Sequence, residues 1–412
     1  THKSTQQQKM KIFFSSMKTI RYLSHTTRLL AKSTSTPKVL GRASNNLSVG
    51  LVGLANVGKS TFFQALTKST LGNPANYPFA TIEPEKSIVL VPLDKLTHYA
   101  KLYLSQKTVP TNLTIWDIAG LVRNASSGAG LGNKFLNDIR QVDGILQIVR
   151  GFVDDEIVHI EDNKVDPVRD LVIVNDELIL KDLEIIELEI ERVNKMKNKP
   201  GIGGSYEINL QTLDKLSTLL YDGIKVVNGD WSDEEVDVIN GLNLLTAKPT
   251  VYLLNVSKED YESGNNQFYK EVDQWIATNS PNDKLIMFSA EYETALNNPE
   301  ELLGTGSAIG TVVEEMRLVL SLISFFTCGE MEARQWTIRK GSTAPEAAGL
   351  IHTDLQKTFI NSIVYKWDDL KQLDTFDESK LKSQGKQHKC GKKYIVEEGD
   401  VLIIKAGSGK AR

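Results

Sequence analysis

The chain has 412 residues, 41% of them hydrophobic, with 48 Lys or Arg against 52 Asp or Glu and a formal net charge of −4. That length allows two or three domains, each with its own core, and no apolar run approaches the ~18 residues of a membrane-spanning helix. Two cysteines, Cys328 and Cys390, make neither a disulfide framework nor a zinc site and point to a reducing compartment.

The charge is unevenly spread. Residues 1–46 carry nine Lys or Arg and no acid, which leaves a body with 39 basic and 52 acidic residues and no global electrostatic footprint for nucleic acid. Between Met17 and Lys32, Ile20, Leu23, Leu29 and Leu30 are interleaved with Lys18, Arg21, Arg28 and Lys32. A basic, acid-free amphipathic stretch predicts an organelle transit peptide, most simply a mitochondrial one. The alternative is a disordered basic leader on a cytoplasmic protein.

Leu47 to Val52 reads as a short buried strand, followed by Gly53-Leu54-Ala55-Asn56-Val57-Gly58-Lys59-Ser60. Two glycines separated by four residues and followed by Lys and Ser fit a phosphate-binding loop. Ser60 to Leu66 opens a helix whose apolar face carries Phe62, Phe63 and Leu66. Strand, loop and helix N-terminus together make an anion site, with backbone N–H groups converging ahead of the helix dipole. The expected nucleotide contacts are Asn56, Val57, Gly58, Lys59, Ser60 and Thr61. Lys59 would reach the β- and γ-phosphates and the Ser60 hydroxyl would ligate Mg²⁺.

The polar, Pro-broken stretch from Asn76 to Pro84 suits no regular element. In P-loop GTPases this connection contains a Thr that closes on Mg²⁺ and the γ-phosphate, and Thr81 is the candidate. Leu113 to Trp116 is an apolar strand ending in Asp117-Ile118-Ala119-Gly120. Asp117 would hold Mg²⁺ through water and Gly120 would offer its N–H to the γ-phosphate. Leu121 stands where many GTPases place a Gln that orients the attacking water, so slow basal hydrolysis is expected, and Ser126 to Gly132 reads as a flexible switch loop.

Val142 to Val149 supplies another buried strand, after which the nucleotide fold is interrupted. Residues 176–198 carry Leu183, Ile186, Ile190 and Val193 at helical spacing, and Leu213, Leu216, Leu220 and Ile224 continue a stripe beyond a Gly-rich tip at 198–204. This predicts an antiparallel helical hairpin, with its leucines packed on one another or its tip offered to a partner. Lys248 to Asn255 resumes the sheet. Its end, Asn255-Val256-Ser257-Lys258, lacks the Lys and Asp of the guanine-reading Asn-Lys-x-Asp motif. Leu285 to Ala290 is a strand running into Ser289-Ala290, the usual place for backbone recognition of a purine, so Asn255, Ser257, Ser289 and Ala290 complete the expected nucleotide set.

From about Phe325 the character changes. Short strands at 336–341, 360–364, 394–396 and 401–404, with a compact small-residue region at 344–351, predict a small α+β module. Residues 379–412 hold nine Lys or Arg against three acids, including Lys386, Lys389, Lys392 and Lys393, which makes either a solvated face or an RNA-facing patch.

An ordered set of motifs carries a family resemblance: Gly53 to Ser60 with Asn56 inside it, Asn76 to Pro84, Asp117-Ile118-Ala119-Gly120-Leu121-Val122, Gly130-Leu131-Gly132-Asn133, Trp336 to Gly341, and Ile351-His352-Thr353-Asp354. From about Leu47 to its end the chain resembles the Obg-like ATPase, or YchF, family of translation-factor-related P-loop GTPases. With the leader, the resemblance implies a mitochondrial, fungal-type member. It implies an α/β fold: a G domain with a mostly parallel sheet, interrupted by an antiparallel coiled-coil insertion and followed by a ubiquitin-like β-grasp (TGS) domain. The corresponding boundaries are 1–46, 47–152, 153–244, 245–324 and 325–412.

The resemblance also implies a Mg²⁺-dependent nucleoside triphosphatase that prefers ATP to GTP, acts as a slow switch, and associates with ribosomes or translation factors. Asn56 matches a loop Asn that in related GTPases helps hold K⁺ beside the phosphates. Gln147 stands where many relatives carry a His implicated in hydrolysis. It can orient water but cannot act as a general base near neutral pH. The expected catalytic set is thus Lys59, Thr81, Gly120 and Gln147, with Ser60, Thr81 and Asp117 around the metal. Relatives usually read the base with Asn-x-x-Glu, whereas here Lys258 fills the last position and Glu259 follows it. Two rivals stand beside this reading. One is a guanine-selective GTPase that uses Glu259 or a main-chain group; the other is a ribosome- or protein-binding adaptor in which nucleotide stabilises structure and hydrolysis is negligible.

Overall fold

Apolar, β-branched runs broken by Gly, Pro and Asn generate the strands of a first sheet in this computed structural model, which describes residues 38–42, 44–68, 86–118, 130–154, 157, 164–195, 203–296 and 306–407. Its strands are β1 (Ser48–Val52), β2 (Lys86–Leu90), β4 (Asn112–Asp117), β5 (Gly144–Arg150), β6 (Thr250–Asn255) and β7 (Lys284–Phe288). They lie in the order β2-β4-β1-β5-β6-β7. Every pairing is parallel except the antiparallel β2–β4 edge. β5 and β6 are buried along their whole length, as a parallel strand covered on both faces must be. Helices α1 (Lys59–Lys68), α2 (Asp94–Leu102) and α3 (Gly130–Gln141) lie in the connections between these strands. Phe62 and Leu66 of α1 enter one core with Leu51, Ile115, Ile148 and Phe288.

Gly130 to Gly132, expected in a loop, instead open α3. Asn76 to Pro84 with Thr81, and Gly120 with Leu121, lie outside the described residues.

The interruption is larger than a hairpin. Pro167, which needs no intrahelical donor, opens the 29-residue α4 (Pro167–Lys195). It pairs with α5 (Gly203–Tyr221), and a third helix, α6 (Asp233–Leu242), completes the unit. Leu183, Ile186 and Val193 meet Leu213, Leu216, Leu220 and Ile239 in a shared core. Ile224 is not part of that stripe, because α5 ends at Tyr221 and leaves it 39% exposed. The unexpected α6 has a readable start: Ser232 Oγ accepts from Glu235 N at 3.3 Å while the Glu235 carboxylate accepts from Ser232 N at 2.8 Å. Asp182 of α4, fully buried, accepts from Leu245 N (2.8 Å), Thr246 N (2.7 Å) and Thr246 Oγ1 (2.7 Å), which fixes the chain where it re-enters the sheet. After β6 come α7 (Lys258–Ser263) and α8 (Tyr269–Asn279), then, beyond β7, α9 (Ala290–Ala295) and α10 (Ile309–Val319).

The second sheet holds β8 (Leu322–Cys328), β9 (Glu332–Arg339), β10 (Phe359–Tyr365), β11 (His388–Cys390) and β12 (Val401–Ala406), with α11 (Ala344–Ile351) beside it. Its order is β11-β10-β12-β8-β9-β3, in which the edge strand β3 (Lys107–Val109) comes from the nucleotide half of the chain and runs parallel to β9. β8 already begins at Leu322, so the expected boundary at 325 falls inside a strand. Residues 394–396 form no strand, only an isolated bridge between Ile395 and Thr343.

Among the described residues, those from Lys38 onward, ahead of the expected start at Leu47, already belong to the body, and residues 38–412 form one contact unit. The Arg42 guanidinium grips the Asp143 carboxylate through two 2.5 Å bonds. Gly41 N donates to Asn240 Oδ1 of α6 at 2.7 Å, and Arg339 of β9 donates to the Arg42 carbonyl at 2.6 Å and to Asn45 Oδ1 at 2.9 Å. Among the described residues no helix is long and apolar enough to cross a membrane.

Candidate functional site

The loop between β1 and α1 is possible only with glycine at two points. At Gly53 an added Cβ would lie 2.4 Å from the Ile148 carbonyl oxygen, and at Gly58, where φ is +97°, it would lie 2.2 Å from Asn255 Nδ2. Asn56 also adopts a left-handed φ of 60°, which Asn tolerates better than most residues. Phe62 N then donates to Gly58 O at 3.0 Å, so the helix starts at the loop's second glycine.

Lys59 lies under this loop, 7% exposed, with Nζ donating to Leu54 O at 2.6 Å and Gly53 O at 3.2 Å. Burial pushes its ammonium down to about 8, partly opposed by the Asp117 carboxylate. Two carbonyl dipoles are weak partners for a buried cation, so an arriving phosphate would be a stronger one. Ser60 Oγ donates to Asp117 Oδ2 at 3.2 Å, which brings the hydroxyl and carboxylate expected at the metal side by side.

Asn255, at the end of β6 and 3% exposed, is used internally. Its Nδ2 donates to Val57 O at 2.9 Å and its Oδ1 accepts from Ala290 N at 3.0 Å, tying the phosphate loop to the start of α9. Ser257 caps α7 by accepting from Asp260 N at 3.2 Å, and the fully buried Ser289 caps α9 by accepting from Tyr292 N at 3.2 Å. These hydroxyls therefore position helices.

A cavity of about 840 Å³ opens beside the phosphate loop, and Lys59, Ser60, Asp117 and Ser289 are not among its lining residues. It is lined by Asn56, Gly58 and Thr61 of the loop and α1, by Asn255 to Lys258 after β6, by Phe152, Val153 and Ile157 after β5, and by Ala290 and Glu291 of α9. That volume is within the ordinary range for small-ligand pockets. Gln147 does not line it: the residue is 4% exposed in the middle of β5, in register with Val52 and Tyr252. Glu259 is exposed on α7 and is also outside the cavity lining. Thr81 and Gly120 lie outside the described residues. Reading the sequence missed Arg150 and the turn after it; the available signal was a lone arginine closing an otherwise apolar strand.

Two family models match this chain. One, described as 50S ribosome-binding GTPase, matches residues 48–199, and a YchF GTPase C-terminal model, described as a protein of unknown function (DUF933), matches residues 322–407. An Obg-like ATPase homolog of Saccharomyces cerevisiae is 49% identical over 397 residues, spanning 91% of this chain and 98% of the relative. Obg-like ATPase 1 of the same yeast is 47% identical, spanning 90% of this chain and 97% of its own length. Among solved structures, that of the Schizosaccharomyces pombe YchF GTPase aligns with a TM-score of 0.81 at 43% identity, covering 89% of this chain and 100% of that one.

Proposed function

The chain belongs to the Obg-like ATPase (YchF) family of P-loop nucleotide-binding hydrolases, and from that premise we propose a slow, Mg²⁺-dependent nucleoside triphosphatase that favours ATP over GTP and acts as a switch at the ribosome. The observation that carries this reading is the cavity lined both by the phosphate loop at Asn56 and Gly58 and by the Asn255 to Lys258 segment after β6. Backbone N–H groups from Asn56 to Ser60 and the Lys59 ammonium bind the phosphates. The adjacent Ser60 hydroxyl and Asp117 carboxylate, 3.2 Å apart, are hard oxygen donors that suit Mg²⁺. When bound, that ion would offset charge on the β- and γ-phosphate oxygens. Thr81 and Gly120, outside the described residues, keep the γ-phosphate roles that the family resemblance implies, and Asn56 is the residue for a K⁺ ion.

Base preference follows from donor and acceptor inventories. Guanine selectivity needs a carboxylate to accept from its N1–H and 2-amino groups, whereas Lys258 has only donors and Asn255 is an amide. Glu259, required by a guanine-selective reading, is exposed outside the cavity lining. Glu291 does supply a lining carboxylate, which can accept one bond from the adenine 6-amino group or two from guanine, and it is the group that a guanine-selective reading would use instead. Turnover is slow because Leu121 cannot hold a water and Gln147 is sequestered in β5.

The ribosome reading is supported by the description of the matched GTPase model. Exposed Lys389, Lys392 and Lys393, on and beside edge strand β11, are the side chains suited to rRNA phosphates. The acid-free leader supports a mitochondrial site of action. The deciding experiment measures ATP and GTP affinity of residues 38–412 with Mg²⁺, alongside hydrolysis in K⁺ and in Na⁺. Tighter ATP binding with K⁺ stimulation is expected; tighter GTP binding would overturn the base assignment.

A further inference from the structure

Arg150 closes β5 and is 1% exposed, yet its guanidinium does not point outward to a surface acid. It folds back under the turn that follows. Nε donates to Phe152 O at 3.1 Å, Nη2 to Asp154 O at 3.0 Å and Nη1 to Ile157 O at 2.9 Å. The guanidinium carbon also lies 4.5 Å from the centre of the Phe152 ring. The root of the turn is fixed separately, by Gly151 N donating to Asn255 O at 2.7 Å and Asn266 Nδ2 donating to Gly151 O at 2.8 Å. Phe152, Val153, Asp154 and Ile157 all line the 840 Å³ cavity, with Val153 65% exposed and Ile157 38% exposed.

We propose that Arg150 is a positioning residue that holds the turn after β5 as the apolar wall on which the purine base rests. This deepens the nucleotide-hydrolase reading and depends on it. The planar guanidinium spreads its donors over a rigid fork that matches three carbonyls set apart along the turn, whereas a lysine would have to converge its three donors on one nitrogen at the end of a flexible stem. Arg150 donates one bond to each of the Phe152, Asp154 and Ile157 carbonyls and so fixes their direction. Phe152, Val153 and Ile157 contribute apolar contact, which adenine and guanine share. This apolar part of the wall strengthens binding of either nucleotide, and discrimination is left to the charged lining residues Asp154, Lys258 and Glu291.

The test compares Mg²⁺-ATP, Mg²⁺-GTP and inorganic triphosphate, which has phosphates and no base, on the full 412-residue chain. In Arg150→Lys, and separately in Val153→Asp, both nucleotides should bind about tenfold more weakly, a 1.4 kcal/mol change, with the ATP-to-GTP ratio and triphosphate binding unchanged. Val153→Asp alters an exposed side chain and decides the matter if Arg150→Lys fails to fold. Parallel weakening of triphosphate, a shifted ATP-to-GTP ratio, or unaltered nucleotide binding in Val153→Asp would each overturn the proposal. Wild-type protein that binds triphosphate but gains nothing from a base would overturn the nucleotide reading itself, which is a separate result.

Discussion

Lys59 makes nucleotide binding a proton-uptake reaction above neutral pH. In the nucleotide-free protein its ammonium is 7% exposed, has two carbonyl partners, and is lowered by burial from 10.5 to about 8. A triphosphate placed against it restores the charged form. With that value, roughly three-quarters of Lys59 is neutral at pH 8.5 and roughly a tenth at pH 7, so Mg²⁺-ATP should take up about 0.7 proton at the higher pH and about 0.1 at the lower. The same arithmetic weakens affinity about fourfold between the two. Titration calorimetry in two buffers of different ionisation enthalpy reads the uptake directly, and Lys59→Met should abolish it. No uptake at pH 8.5 would refute the reasoning, because it would mean the buried ammonium stays charged before phosphate arrives. Stability has a matching sign. The folded value lies below the unfolded 10.5, so the unfolded chain binds more protons between about pH 8 and 10.5, and nucleotide-free stability should gain from this group as pH rises through that window.

Gly58→Ala adds a Cβ 2.2 Å from Asn255 Nδ2 at a φ of +97°, and should weaken nucleotide at least about tenfold by calorimetry. Asn255→Ala leaves Val57 O and Ala290 N without their 2.9 and 3.0 Å partners, and should lower unfolding free energy by about 2–3 kcal/mol in urea; a loss under about 0.5 kcal/mol would refute the tie between loop and α9. Protein starting at Leu47 loses the Arg42 grip on Asp143 and the Arg339 contacts. It should melt about 3–6 °C below protein starting at Lys38, and equal melting would show that this segment holds nothing. Asp182, raised to about 6 by burial, binds more protons folded than unfolded between about pH 3.8 and 6; this group's contribution to stability should therefore be greatest below pH 4 and lost as pH rises through 6, a trend that Asp182→Asn removes in pH-dependent denaturation.

By itself the sequence determined what local chemistry controls. Two glycines, a lysine and a serine after an apolar strand specify a phosphate loop, because only those residue types permit that backbone and supply that charge. Leucines at helical spacing specify the α4–α5 pair, and short apolar runs specify five of the six strands of the first sheet but only β9, β10 and β12 of the second. Tertiary structure decided what depends on distant partners. Asn255 lines the cavity, and its amide also bridges Val57 O and Ala290 N, two groups that no spacing rule brings together. β3 has three residues, too few for a period, and is a strand only because β9 lies beside it. Residues 38–46 looked like leader because they are basic and acid-free, yet Asp143 and Arg339 hold them on the body. Arg150 was visible as a lone charge ending an apolar strand, but its role arises from three carbonyls that converge only once the chain turns back at Gly151.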